Sequence, residues 1–220
     1  MNKGRLVVFE GTDGSGKTTQ AELLLKYLRK NKIPNAYISF PRYEESMWGK
    51  MVRRFLNGEF GKIGEVDPYF ASMLYAGDRA SAAPKIRRWL SEGKVVVCNR
   101  YVGSNIGHMA AKFRKADDRQ KYTDWLENLE YKENGIPKED VVVLLQVPPI
   151  VSRRLMKDRK LDIHEKDQKY QEEVYWAYDF VAGLKKHWIK VDCTGGGKIL
   201  DPDEIHQKVL GALAKRKIIK

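Results

Sequence analysis

The sequence predicts an α/β fold: a five-stranded parallel sheet flanked by helices on both faces. Two observations carry that prediction. The runs Val95 to Cys98 and Val141 to Leu145 are apolar throughout instead of alternating, as in strands covered by helices on both sides. Short β-rich runs also alternate with longer amphipathic segments along the whole chain, without internal repeats or low-complexity tracts, which is the order of successive βα units. At 220 residues the chain suits one domain spanning 1–220, with enough length to bury a sizeable core.

The elements follow in order. Leu6 to Glu10 reads as the first strand, and Lys17 to Asn31 as a helix with Leu23, Leu24, Tyr27 and Leu28 at helical spacing. Ala36 to Ser39 is the second strand. Pro68, at home in a first helical turn, opens a helix running to Trp89 and ending near Gly93. After the strand Val95 to Cys98 come helices over Ser104 to Lys115 and Asp118 to Glu133. The strand Val141 to Leu145 is followed by helices over Pro149 to Lys160 and Gln168 to Lys186. The strand Trp188 to Val191 and a helix from Pro202 to Lys215 complete the chain. The segment 157–169 is densely charged; its spacing reads as a solvated helix face and turn, and its functional alternative is a mobile flap over phosphates.

Composition excludes several classes. With 42% apolar and 32% charged residues, five Trp and eleven Tyr, the chain is globular and not disordered. No apolar run is long enough to span a membrane, and the first residues lack a signal-peptide pattern, so a cytoplasmic protein is expected. Cys98 and Cys193 have no CxxC partner and end apolar runs, which reads as buried free thiols. An excess of 41 Lys and Arg over 29 Asp and Glu leaves a net charge of +12. That suits a polyanionic partner (nucleotide, nucleic acid or anionic membrane) without choosing among them.

One motif does choose. Gly11-Thr12-Asp13-Gly14-Ser15-Gly16-Lys17-Thr18 satisfies G-x-x-x-x-G-K-[ST], directly after a strand and directly before an amphipathic helix. Its glycines allow the backbone to approach phosphate, and successive N–H groups surround the oxygens at the positive end of the helix. Lys17 is expected to bridge the β and γ phosphates, and the Thr18 hydroxyl, with Thr19 beside it, to face Mg²⁺ and nucleotide. The prediction is a P-loop NTPase fold binding ATP or GTP.

A hydrolytic motor or switch would carry an acidic residue after a second apolar strand. Here that strand runs into Asn99-Arg100-Tyr101, and a basic residue at a strand's carboxyl end suits a second phosphate-bearing substrate. Phe40-Pro41-Arg42-Tyr43 follows the second strand at the same edge. Tyr75 and Arg79 stand four positions apart, on one helix face, where an aromatic can stack on a base and a guanidinium can donate to its carbonyl. Taken singly, Tyr75 reads as core and Arg79 as a solvated or salt-bridged residue.

The ordered set FEGTDGSGKTTQ, FPRY, LYAGDR and NRYVGSN resembles the thymidylate kinases, nucleoside monophosphate kinases, and among them the bacterial branch with FPRY and RYVxSN. The segment NLEYKENGIPKEDVVVLLQV is similar to the family's approach to its fourth strand. The resemblance implies Mg²⁺-dependent transfer of the γ-phosphoryl group of ATP to thymidine 5′-monophosphate (dTMP), giving dTDP, by a homodimer, with no nucleic-acid or membrane partner. It also implies residue roles. Tyr75 would stack on thymine, Arg79 and Asn105 would bond its edge, and Phe40, Arg42, Tyr43 and Arg100 would hold the acceptor and its phosphate. Asp13 would sit between the substrates, and His108 stands where bacterial relatives often carry a tyrosine that disfavours a ribose 2′-hydroxyl.

The charged segment then resembles the bacterial lid, spanning about 153–169. Arg159, with Arg154 or Lys157, would reach the transferring phosphoryl group, and Asp162 and Glu165 match the lid's acidic end. Alignment and positive charge around the equatorial oxygens are what phosphoryl transfer needs most, and a closing lid keeps water from ATP. One position departs from the pattern. Asn99 stands where the family turn has Asp, keeping a carbonyl ligand for Mg²⁺ but losing its charge, so Asp13 or Glu165 would have to supply the carboxylate. The two substrates bring about six negative charges, of which Mg²⁺ offsets about two; Lys17, Arg42, Arg79, Arg100, Lys157 and Arg159 answer them. Three other readings remain: a kinase for another nucleoside or monophosphate, a P-loop ATPase acting on nucleic acid, and a nucleotide-binding pseudoenzyme.

Overall fold

The computed structural model of the chain describes residues 3–62, 65–155 and 167–219. In chain order, β1 (Arg5–Glu10) leads into α1 (Lys17–Lys30), β2 (Asn35–Ser39), α2 (Met47–Leu56) and α3 (Pro68–Ser91). Then come β3 (Val95–Asn99), α4 (Val102–Ala110), α5 (Ala116–Glu127) and a π-helical segment, Asn128–Glu133. The chain continues through β4 (Val141–Gln146), α6 (Pro149–Leu155), α7 (Gln168–Leu184) and β5 (Trp188–Asp192). It closes with a short antiparallel pair, β6 (Thr194–Gly195) and β7 (Lys198–Ile199), and α8 (Pro202–Lys215).

Strands β1 to β5 form one sheet in the order β2-β3-β1-β4-β5, parallel throughout. The continuous apolar runs are explained by what covers them. Leu6, Val8, Val96, Cys98, Val142 and Leu144 face one core shared with α3, α4 and α7. Val7, Phe9, Val97, Val143 and Leu145 face a second core shared with α1 and α8. Alternate residues enter opposite layers, so every position must be apolar. Because the strands are parallel, the carboxyl ends of β1, β2 and β3 open on one edge, with β1 central at the point where the strand order reverses. That crevice is where open α/β sheets bind ligands. The five-stranded α/β fold and its strand positions follow the sequence reading, and Cys98 and Cys193 are buried free thiols.

Several helices differ from that reading. Helix α2 was not anticipated. Its N-cap, Ser46, accepts from the Gly49 amide at 2.8 Å, and Val52 and Phe55 are buried; Ser46 followed by apolar residues at helical spacing is the signal available. Helix α4 starts two residues earlier than expected and ends at Ala110, and the helix expected over 118–133 is α5 followed by the π-helical segment. The small β6–β7 pair was also unforeseen. Beyond Leu155, the expected continuation of α6 falls among residues 156–166, outside the described residues.

Candidate active site

The P-loop has the geometry its glycines predict. Gly11, Gly14 and Gly16 adopt φ values of 147°, 75° and 84°, a region that side chains disfavour. A Cβ on Gly11 would also lie 2.7 Å from the carbonyl oxygen of Leu145. Gly16 in its left-handed conformation turns the chain into α1. The Lys17 ammonium folds back over the loop, donating to the carbonyls of Gly11 at 2.9 Å and Thr12 at 2.7 Å. Thr12, Ser15 and Lys17 are buried within this turn.

Arg100 crosses from the end of β3 to the loop and bonds the carboxylate of Asp13. Its backbone has φ of 65°, which costs a non-glycine residue about 1–2 kcal/mol, and its amide donates to the carbonyl of Phe9 at 3.0 Å. Burial works against the charge, but Asp13, and behind it Tyr178, Glu10 and Tyr43, outweigh burial and hold the guanidinium above its ordinary range. Next to it, the Asn99 side-chain amide donates to the Thr18 hydroxyl at 3.2 Å, and the Asn99 side-chain oxygen Oδ1 is buried with no hydrogen-bond partner.

Glu10, which sequence reasoning passed over, fixes the start of α4. Its carboxylate is wholly buried and accepts from the amides of Tyr101 at 2.7 Å and Ser104 at 2.9 Å, and from the hydroxyls of Ser104 and Tyr178. A buried charge survives because it is hydrogen-bonded and lies at a helix N-terminus. Its signal was an acidic residue ending an otherwise apolar strand.

On the acceptor side, each expected arginine has found a carboxylate. Arg42 is tied to Asp78: its amide donates to Oδ2 at 2.7 Å, its Nε to Oδ1 at 3.0 Å, and its Nη2 to the Asp78 carbonyl at 2.9 Å and to Ser81. Phe40, in a cis peptide with Pro41, is a core residue whose ring lies 5.8 Å from the Arg42 guanidinium. Tyr43 carries the Arg53 guanidinium 5.2 Å from its ring centre, and Tyr75 meets Phe55 edge to face at 6.4 Å. Trp48 of α2, another residue not singled out, lies against Gly77 of α3; a Cβ there would be 2.4 Å from the indole.

Arg79 is enclosed by protein on every side of its guanidinium that the hydrogen bonds define. It is fully buried, bonds Glu130 of the π-helical segment, and donates to the Tyr101 carbonyl and to the Asn105 side-chain oxygen, both at 3.1 Å. Burial opposes its charge, and Glu130 overcomes that penalty and holds it above the ordinary value. Asn105 is buried too, and its amide nitrogen has no protein partner. His108 lies 3.5 Å from Arg100 Nη1 and between the rings of Tyr170 and Tyr178, at 6.2 and 6.0 Å.

The structure thus brings together Gly11 to Thr18, Asn99, Arg100, Ser104 and His108, and sets Arg42, Arg79 and Asn105 behind the same sheet edge. Arg154 is exposed near the end of α6. Lys157, Arg159, Asp162 and Glu165 lie outside the described residues. Thr18 and the unpartnered Asn99 oxygen fit a hard cation such as Mg²⁺, which takes oxygen ligands and keeps several from phosphate and water. Among the described residues no cluster of three His, Cys, Asp or Glu could hold an ion alone, so phosphate oxygens would have to complete the coordination.

Comparison with known proteins identifies the family. The family model described as thymidylate kinase matches residues 9–200. A thymidylate kinase of Plasmodium falciparum is 30% identical over 216 residues, covering 98% of this chain and 92% of the relative. That of Mycobacterium tuberculosis is 31% identical over 209 residues, covering 91% and 94%. A solved thymidylate kinase structure from Candida albicans superposes with a TM-score of 0.78 at 24% identity, covering 98% of this chain and 93% of that one. With its P-loop, its paired arginines and this similarity along nearly its whole length, the chain belongs to the thymidylate kinase family, the ATP-dependent nucleoside monophosphate kinases.

Proposed function

We propose that this protein transfers the γ-phosphoryl group of ATP to dTMP, giving ADP and dTDP. The observation that carries the reading is the Asp13–Arg100 pair, which joins the phosphate-cradling loop to the acceptor side of one sheet edge. Two phosphate sites that share a wall can present their reacting oxygens to each other, and alignment supplies much of the rate of phosphoryl transfer.

Residues 11–19 hold the ATP phosphates, and Lys17 exchanges its bonds to the Gly11 and Thr12 carbonyls for phosphate oxygens. Arg100, a stronger partner for a dianionic phosphate than for one carboxylate, grips the acceptor, with Arg42 and Tyr43 on its other side. Thr18 and Asn99 would hold Mg²⁺, which when bound neutralises charge that develops on the transferring group. Asp13 then lies between the substrates, where it orients Arg100. Tyr75 and Phe40 form the acceptor's apolar wall, with Tyr75 against the base. Asn105, its oxygen taken by Arg79, offers an N–H to a carbonyl of thymine. His108 borders the sugar beside Arg100 and bears on the choice of deoxyribose.

The lid over 153–169, of the bacterial kind that FPRY and NRYVGSN accompany, supplies Arg154, Lys157 and Arg159 to the phosphates, with Asp162 and Glu165 at its acidic end. The chain acts as a single domain in the cytoplasm, without nucleic-acid or membrane partners; no helix among the described residues is long and apolar enough to cross a membrane. A homodimer is supported by Met47 and Trp48 of α2 and Phe70 and Met73 of α3, large apolar side chains exposed on two helices that pack together.

A coupled assay of ADP release with ATP, Mg²⁺ and a panel of nucleoside monophosphates tests the reading. The expected result is a clear preference for dTMP. Preference for an unphosphorylated nucleoside, or hydrolysis stimulated by DNA, would replace it.

A further inference from the structure

Away from the sheet edge, α7 carries a feature that phosphoryl transfer does not use. Trp176, Phe180 and Leu184 recur every four residues along one face and are 62%, 58% and 63% exposed. The opposite face of the same helix, with Val174, Tyr178 and Val181, already fills the core against α4 and the sheet. The outward stripe is therefore surplus to folding, and large aromatics left in water in a row mark an interaction surface.

We propose that this stripe is a self-association surface, paired with α7 of a second copy in antiparallel sense about a two-fold axis passing beside Phe180. Three observations point to a second copy. The stripe is self-complementary: Trp176 and Leu184 stand four residues either side of Phe180, so antiparallel pairing sets each Trp176 against the partner helix's other end, as an isologous interface demands. Gly183, next to Leu184, is exposed and has nothing within 4 Å of where a Cβ would stand, so no side chain at that position keeps a partner helix from close approach. The flanking charges also choose the direction. Glu172 lies one turn before Trp176 and Lys186 two residues after Leu184, both exposed, whereas Glu173 and Lys185 are already paired within the chain, to Arg119 and Glu127. Antiparallel pairing puts acid near base at both ends, and parallel pairing puts like against like.

The area sets the strength. Three side chains about 60% exposed offer roughly 350 Å² per copy, against about 800 Å² per partner in a standard stable interface. Association is therefore concentration-dependent and weak, and separate from the surface on α2 and α3.

Sedimentation equilibrium of the full chain up to about 100 μM tests it, a range that covers micromolar dissociation constants. Phe180→Glu should weaken association at least tenfold, because an unpaired carboxylate would be buried. It removes one level of assembly: tetramer to dimer where the α2–α3 surface also pairs, dimer to monomer otherwise. Its melting temperature and turnover should match the parent's. Glu172→Lys and Lys186→Glu should each weaken association about two- to fivefold, as exposed pairs do, and the double exchange should restore it. No self-association at that concentration, association indifferent to Phe180→Glu, or a double exchange that fails to rescue would each overturn the proposal.

Discussion

The guanidinium of Arg79 donates to the side-chain oxygen of Asn105 at 3.1 Å, and the amide nitrogen of Asn105 is left buried without a protein partner. Arginine has donors only, so this bond fixes which way the amide points. With its oxygen taken, Asn105 has only N–H groups left to offer, and Arg79, held in turn by Glu130, is the residue that positions it.

Asn105→Ala should therefore raise the KM for dTMP about three- to tenfold, the worth of one neutral hydrogen bond, with little change in kcat. dUMP, which has the same carbonyls, should lose as much. Steady-state kinetics with both acceptors checks this, and a fall confined to kcat contradicts it.

Asp78 holds Arg42 through a pair that is nearly buried on both sides. Asp78→Ala leaves that guanidinium without its carboxylate and should cost about 3–5 kcal/mol. Calorimetry should show a melting temperature lower by roughly 10 °C for a chain of this size, and the KM for dTMP should rise as Arg42 loses its placement.

Asn99→Asp restores a charge beside Thr18 and the unpartnered oxygen. Titrating Mg²⁺ at saturating ATP and dTMP should show half-maximal activity at a lower concentration in the variant than in the parent. Unchanged turnover together with unchanged Mg²⁺ dependence would remove position 99 from the metal site.

His206 of α8 is buried against Tyr27. Burial pushes its pKa below the usual histidine value, only partly opposed by Asp203. The unfolded chain binds this proton more readily, so its contribution is complete above the ordinary histidine pKa and is lost as pH falls through that value toward the folded one. Thermal melts at pH 7.5 and 5.5 should show the parent losing more stability on acidification than His206→Gln, a shift of a few °C for each kcal/mol. An equal loss in both chains would assign the acid sensitivity to other groups.

Much of this molecule was legible from local pattern. The five strands, the P-loop and the crossover helices α1 and α3 announce themselves through near neighbours in the chain: apolar runs, a glycine turn, a proline at a helix start. Those signals act over a few residues, and so sequence carries them. The partners of the arginines do not work that way. Arg42 finds Asp78 across 36 positions, Arg79 finds Glu130 across 51 and Arg100 finds Asp13 across 87. Nothing in the spacing marks which carboxylate each will meet, because burial decides the pairing: once the sheet is covered, a desolvated guanidinium must be answered by whatever acid the packing brings within reach. Glu130 became a structural anchor for that reason, Glu10 because the start of α4 turns its amides and the Ser104 hydroxyl onto the carboxylate, and α7 kept an apolar stripe in water because its other face had already filled the core.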